Sequence, residues 1–265
     1  MEKKESIKDM SYVEFMAFLN ETNRPPGGKI AFKKMLDYCN VTADHKILDV
    51  GCNTGFCSFE AVRLKKCEVV GIDISPDMIF AAKKESEKDS ITKENVEFFI
   101  ANAEEMPFRD SEFDFVFSGG STAFVSDIKN ALREYKRVVK DWGFIGDINF
   151  FYKKDPPQMI IDNLNNLMGT NIKKWTKEKW IRIYKEAGLE IFDILEGEIE
   201  AVDDIKIEKY IEELLSNKPL DVKSAAKDKL RGIMNLFNEN HKYLSYGIFI
   251  LRKRKLREEP FLFCP

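Results

Sequence analysis

A chain of 265 residues with 44% apolar side chains can bury one good core, so one domain with insertions is expected rather than several independent ones. A formal net charge of −3 speaks against a protein built to grip nucleic-acid backbones. Five cysteines without regular spacing suit reduced thiols in a cytoplasmic protein, not a disulfide framework or a metal site. The charged start Met1–Glu5 is not followed by an apolar segment, so no secretory signal is expected, and no apolar run reaches membrane-spanning length.

Ser11 with Glu14 three residues later spells a capping box, and Tyr12, Phe15, Met16 and Leu19 then recur at helical spacing. Asn23-Arg24-Pro25-Pro26-Gly27-Gly28 ends that helix, and a second follows with Phe32, Met35, Leu36 and Cys39 on one face. The pair either covers a sheet edge or forms a lid that turns Tyr12, Asn23 and Arg24 toward a pocket.

Ile47, Leu48 and Val50 form a short apolar run without alternation, as in a strand buried on both faces of a parallel sheet. Gly51 and Gly55 bracket a turn from which a helix leaves over 56–64. Such a strand, turn and helix N-terminus brings backbone N–H groups near a ligand. A second strand, Val69-Val70-Gly71-Ile72, ends in Asp73, which places a carboxylate where it can accept from two ribose hydroxyls. Ser75-Pro76 opens a helix, Val96–Ile100 and 113–118 read as strands, Asp127 caps a helix over 127–139, and Phe144–Phe150 is a fifth strand. This alternation implies right-handed crossovers and a parallel sheet.

Further on, Asp155-Pro156-Pro157-Gln158 reads as a loop turn, with a helix around Leu164–Met168 after it. Thr176 caps a helix stopped by Gly188, and strands are expected at Leu189–Leu195 and Tyr246–Leu251. Between them an insertion over about 201–242 has the periodicity of two helices, either a substrate cap or the surface of a homodimer. His45 and His241 read as surface or capping residues rather than bases. The basic run Arg252–Arg257 reads as a solvated tail.

Five segments in order carry a family resemblance. Asp49-Val50-Gly51-Cys52-Asn53-Thr54-Gly55 resembles motif I of the class I S-adenosylmethionine-dependent methyltransferases, and Gly71–Ser75 resembles the acidic motif that follows it. Asn102–Phe108 is similar to the D-A-E-x-L-P-F loop, Phe113–Ser118 to the fourth strand, and Arg133–Gly143 to the R-E-x-x-R-V-L-K-P-G-G helix end. The resemblance covers roughly residues 42–152. It implies an α/β, doubly wound, Rossmann-like sheet of seven strands, mostly parallel with an antiparallel last strand. The expected organisation is a helical lid over 1–40, a cofactor-binding methyltransferase domain over 41–252 with the insertion inside it, and a tail over 253–265.

The resemblance also implies S-adenosylmethionine as cofactor and S-adenosylhomocysteine as product. The expected cofactor contacts are Asp49, Gly51, Asn53, Gly55, Asp73, Ile74, Asn102, Ala103, Glu104 and Ser118, with Ile74 against the adenine and Asp49 ordering the loop or reaching the methionyl ammonium through water. Asn53 replaces the usual middle glycine, which asparagine can do because it tolerates positive φ. Asn102 replaces the usual aspartate. Phe124 stands where the family often carries a histidine that could serve as a base. Tyr12, Arg24, Phe124 and Tyr152 are the expected acceptor-side residues. The expected reaction is in-line methyl transfer to a nitrogen or oxygen of a small molecule, with no metal; the rival readings are an RNA or protein acceptor and a cofactor-binding regulatory protein without turnover.

Overall fold

The expected apolar runs become strands β1 (Lys46–Val50), β2 (Glu68–Asp73), β3 (Val96–Ile100), β4 (Phe113–Ser118), β5 (Val139–Tyr152), β6 (Glu190–Glu198) and β7 (Leu244–Arg252). The computed structural model describes residues 7–19, 21 and 24–254. Its strands form one sheet in the order β3-β2-β1-β4-β5-β7-β6. β1 to β5 pair in parallel, while β7 lies antiparallel to both β5 and β6. The chain winds outward from β1 through β2 to β3, then returns to β4 on the other side of β1. The order therefore reverses between β1 and β4, and a crevice opens at their carboxyl ends.

The helices are α1 (Tyr12–Leu19), α2 (Gly28–Tyr38), α3 (Phe56–Lys65), α4 (Pro76–Ser86), α5 (Ser90–Asn95), α6 (Ile128–Val138), α7 (Gln158–Met168), α8 (Lys177–Glu186), α9 (Asp204–Leu215) and α10 (Leu220–His241). The cap signals act as spelled. Ser11 and Glu14 bond reciprocally, backbone to side chain, at 2.8 and 3.3 Å. Ser75, Asp127 and Thr176 each accept the N–H three residues on. Helix α5, which no periodicity marked, is started by Asp89 accepting from Ile91 N–H.

β5 begins five residues earlier than expected. Val139 pairs with Phe113, and Trp142, at φ 66°, donates to Lys253 O, so the sheet already begins within the stretch that resembles the family's helix end.

Alternation along β1 divides the core. Ile47 faces α2 and α3 in a cluster with Phe32, Met35 and Phe115, while Leu48 faces α6 and α8 in a cluster with Leu132, Tyr135 and Trp180. A third apolar cluster lies apart from both. Phe15, Met16 and Leu19 of α1 pack there against Ile211, Leu215, Leu230 and Ile233 of α9 and α10, with Met78 of α4 beneath. The first two helices thus part company: α2 packs on the sheet and α1 belongs with the insertion. Lys229 of α10 fixes this arrangement by donating to the carbonyls of Ile7, Lys8 and Met10. The apolar faces that made the insertion a candidate dimer surface are covered by α1 of the same chain. No helix among the described residues is long and apolar enough to cross a membrane. Residues 255–257 of the basic run lie outside the described residues.

Candidate active site

The turn after β1 is braced by its own bonds. Gly51 and Cys52 N–H both donate to Ile72 O (2.8 and 2.9 Å), Gly55 N–H donates to Cys52 O, and Asn53 N–H donates to Asp73 Oδ2 at 3.0 Å. These N–H groups, expected to face a ligand, instead tie the turn to the end of β2 and, at Gly55, to itself. Asn53 does adopt the left-handed conformation, at φ 50°, and its amide donates to Gly51 O.

The two glycines are needed for packing within the protein itself. A Cβ on Gly51 would lie 2.2 Å from the Ser121 Cβ and Oγ, and one on Gly55 would lie 2.8–2.9 Å from the Phe59 and Phe98 rings. Gly51 makes room for Ser121, whose Oγ donates to Val50 O at 2.6 Å. Gly55 lets α3 approach β3.

A cavity of about 940 Å³ opens over the carboxyl ends of β1, β2 and β4. Gly51, Asn53, Asp73, Ile74, Asn102, Ala103 and Glu104 line one part of it. Asp73 accepts Ser75 N–H on Oδ1 at 2.9 Å and Asn53 N–H on Oδ2, which fixes the carboxylate and leaves a lone pair on each oxygen. Burial pushes its pKa up against these two bonds. Ile74 beside it is an apolar side chain 70% exposed. Asn102 Oδ1 accepts Glu104 N–H, so its amide N–H₂ is the group offered to a ligand.

Three expected cofactor contacts lie outside the cavity lining. Asp49 is 1% exposed, accepts from Ser58 Oγ at 2.7 Å, and has its pKa pushed up to about 7 by burial. Gly55 is covered by Phe59 and Phe98. Ser118 is wholly buried and bonds Ser121 Oγ at 2.8 Å and Thr122 N–H at 3.2 Å. Asp49 and Ser118 sit near the right strand ends and Gly55 at the start of α3, but one layer below the surface, where they support the turns that form the floor.

Tyr12, Arg24, Phe124 and Tyr152, from four separate stretches of chain, all line the same cavity. Tyr12 meets Phe237 edge-on at 5.9 Å, and burial followed by the charge of Glu21 raises its pKa. Arg24 is exposed and stands 5.7 Å over the Phe56 ring. Tyr152 donates its hydroxyl to Asn240 Oδ1 at 3.1 Å. Asn23 lies outside the described residues.

Several other residues that line the cavity were not singled out from the sequence. Gly119 and Gly120 form a second glycine turn after β4, packed under Pro25 and Pro26. Tyr210, Phe237 and His241 come from the insertion, and Tyr210 donates to Glu21. A G-G pair after a strand was a readable signal for the turn; nothing local marks the insertion residues as facing a site more than a hundred positions upstream. Among the described residues no cluster could hold a metal ion. Cys52 and Cys57, buried, have their thiols pushed far up in pKa and are inert.

A family model described as a methyltransferase domain matches residues 42–188, the stretch from the start of the sheet to the end of α8. The chain belongs to this methyltransferase family. The methyltransferase is an enzyme of the class I S-adenosylmethionine-dependent type. It is 28% identical over 194 residues to an uncharacterized protein of Haemophilus influenzae, covering 72% of this chain and 77% of that one. It is 32% identical over 114 residues to the demethylmenaquinone methyltransferase of Chlorobaculum parvum, covering 43% of this chain and only 44% of that enzyme. In fold it matches the crystal structure of the MccD protein with a TM-score of 0.74 at 24% identity, over 88% of this chain and all of that one.

The cavity fits the family's cofactor, S-adenosylmethionine. Asp73 can take two ribose hydroxyls, Ile74 offers an apolar face for the base, and Asn102 offers an N–H₂ to the adenine edge.

Proposed function

We propose that this methyltransferase transfers the methyl group to a nitrogen or oxygen of a small molecule with an apolar body, held in the same cavity as the cofactor. The observation that carries this reading is continuity: Asp73 and Ile74 share one cavity of about 940 Å³ with Tyr12, Phe124 and Tyr152. That volume is near the upper end of ligand pockets, about 300–1,000 Å³, which suits two small molecules side by side. The lining beyond the cofactor residues is mostly aromatic and aliphatic, including Phe150, Trp175, Met234 and Phe237, with few groups for a charged polymer to grip. The net charge of −3 also supports a small acceptor over a nucleic acid.

When bound, S-adenosylmethionine supplies an electrophilic methyl on a sulfonium. The chain's own residues hold and align. Asp73 fixes the ribose, Ile74 and Ala103 flank the base, and Asn102 reads its edge. Arg24 offers a forked cation to the cofactor's carboxylate or to an anionic acceptor. Helices α1, α9 and α10 form a cap that excludes water, and Tyr12, Phe124 and Tyr152 face the acceptor.

Asp73→Ala tests the cofactor half. Two charge-assisted bonds of roughly 1.5–3 kcal/mol each are removed, so titration calorimetry with S-adenosylhomocysteine should show affinity at least about tenfold weaker with circular dichroism unchanged. Unchanged affinity would overturn the placement of the cofactor.

A further inference from the structure

An imidazole opens into the acceptor end of the cavity. His241 is the last residue of α10, and its ring stands 6.1 Å from the Phe150 ring at the end of β5, tilted by 32°. Of the polar groups that line the same cavity, the Tyr152 hydroxyl is engaged on Asn240, the Tyr210 hydroxyl on Glu21, and Glu104 Oε1 on Asp127 N–H. Among the described residues, none hydrogen-bonds to either ring nitrogen of His241.

We propose that His241 is the acceptor-side general base, taking the proton of a phenol-class hydroxyl carried on an apolar ring. The proposal rests on the reading of the cavity as a methyltransferase site with a small apolar acceptor. In the step, the acceptor O–H bond breaks with its electron pair left on oxygen, an N–H bond forms on the imidazole, and the imidazolium later loses that proton to water. The oxygen so charged is the nucleophile. Burial lowers the His241 pKa below its ordinary value, which keeps the ring neutral and ready to accept at pH 7. The carbonyls at the C-terminus of a 22-residue helix then stabilise the imidazolium once formed. Phenols, with an ordinary pKa of about 10, are within reach of such a base. A hydroxyl as weakly acidic as water, about 15.7, is not. The Phe150 ring beside the imidazole, with Tyr152 and Phe237 lining the same cavity, suits a flat acceptor.

The test uses 2-naphthol and 2-methoxynaphthalene, which share a ring but differ in the proton, on protein saturated with S-adenosylhomocysteine. Carbon–proton correlation NMR resolves the two histidines, assigned with His45→Gln. We expect 2-naphthol to shift the His241 Cε1–H resonance and to bind about fivefold or more tightly than the methyl ether, as one hydrogen bond in a desolvated site provides. His241→Phe should bring the two affinities within about twofold, and His241→Asn should restore part of the preference, with S-adenosylhomocysteine affinity unchanged in both. If S-adenosylhomocysteine binds but wild type takes up no naphthol, or does not prefer it, or if His241→Phe keeps the preference, the role of His241 is overturned. Failure to bind S-adenosylhomocysteine would instead overturn the reading of the cavity beneath it.

Discussion

A Cβ at Gly51 would meet Ser121, and that changes what a substitution there reports. Gly51→Ala adds a clash to a φ of 70° and should cost about 2–4 kcal/mol of stability in urea unfolding. Ser121→Gly in the same chain removes the clash but not the strain, so the double variant should recover about 1 kcal/mol; purely additive losses would show that the contact does not matter. Two buried acids give a second test at this scale. Burial pushes Asp49 and Asp147 up to about 7 from an ordinary 3.8, although Asp147 accepts from Tyr184 and Thr122. An acid with a raised folded pKa holds its proton longer in the native state, so its contribution to stability falls as pH rises from about 4 to about 7 and levels off above. Asp147→Asn removes that slope. The stability difference between variant and wild type should therefore shift toward the variant by a few kcal/mol between pH 5 and pH 7, and a pH-independent difference would contradict the assignment. The residues legible in the sequence were those set in a local pattern: Asp73 ending an apolar run, Asn53 where positive φ is needed, Asn102 to Glu104 in a spelled loop. Asp49 and Ser118 were read one layer too high, because a strand-tip position fixes height along the sheet but not exposure. His241 was read as a surface or capping residue because Phe150, the ring beside it, is about ninety positions away.

The helix α1 has its partners two hundred residues downstream. Its Phe15, fully buried, packs in the cluster of α9 and α10, which is separate from the two clusters on the sheet. Phe15→Ala should cost about 3–5 kcal/mol within that cluster. Because the sheet has its own core, the loss should appear in hydrogen exchange as faster exchange of α1, α9 and α10 together while β1 to β5 keep their protection. Uniform acceleration throughout would show that cap and sheet unfold as one unit. Capping boxes and periodicity made these helices legible one by one. Their association was not, since an amphipathic stripe states that a face is covered but not by what. The same limit left the insertion open between cap and dimer surface.

The sheet order places the seventh strand between the fifth and sixth. β5 offers nine positions to β7, from Phe144 opposite Arg252 to Tyr152 opposite Leu244, and β6 reaches the sheet only through β7. The parallel half was legible because βαβ units leave few arrangements. The family resemblance supplied the antiparallel sense of β7 but not its place between β5 and β6, since two apolar runs fifty residues apart do not state which lies at the edge. During synthesis this order becomes a timetable. The strands that hold the donor leave the ribosome first and can pair at once, whereas β6 emerges with no neighbour to dock on until residues 244–252 follow. At about 5–20 residues per second the wait is roughly 2–10 s. Through that interval the nascent protein holds a half-built sheet with one unpaired edge at β5, and α9 and α10 are made while it lasts. A chaperone that shields extended segments would therefore find its target in this stretch of the chain, and strains lacking one should lose the protein at that stage of translation.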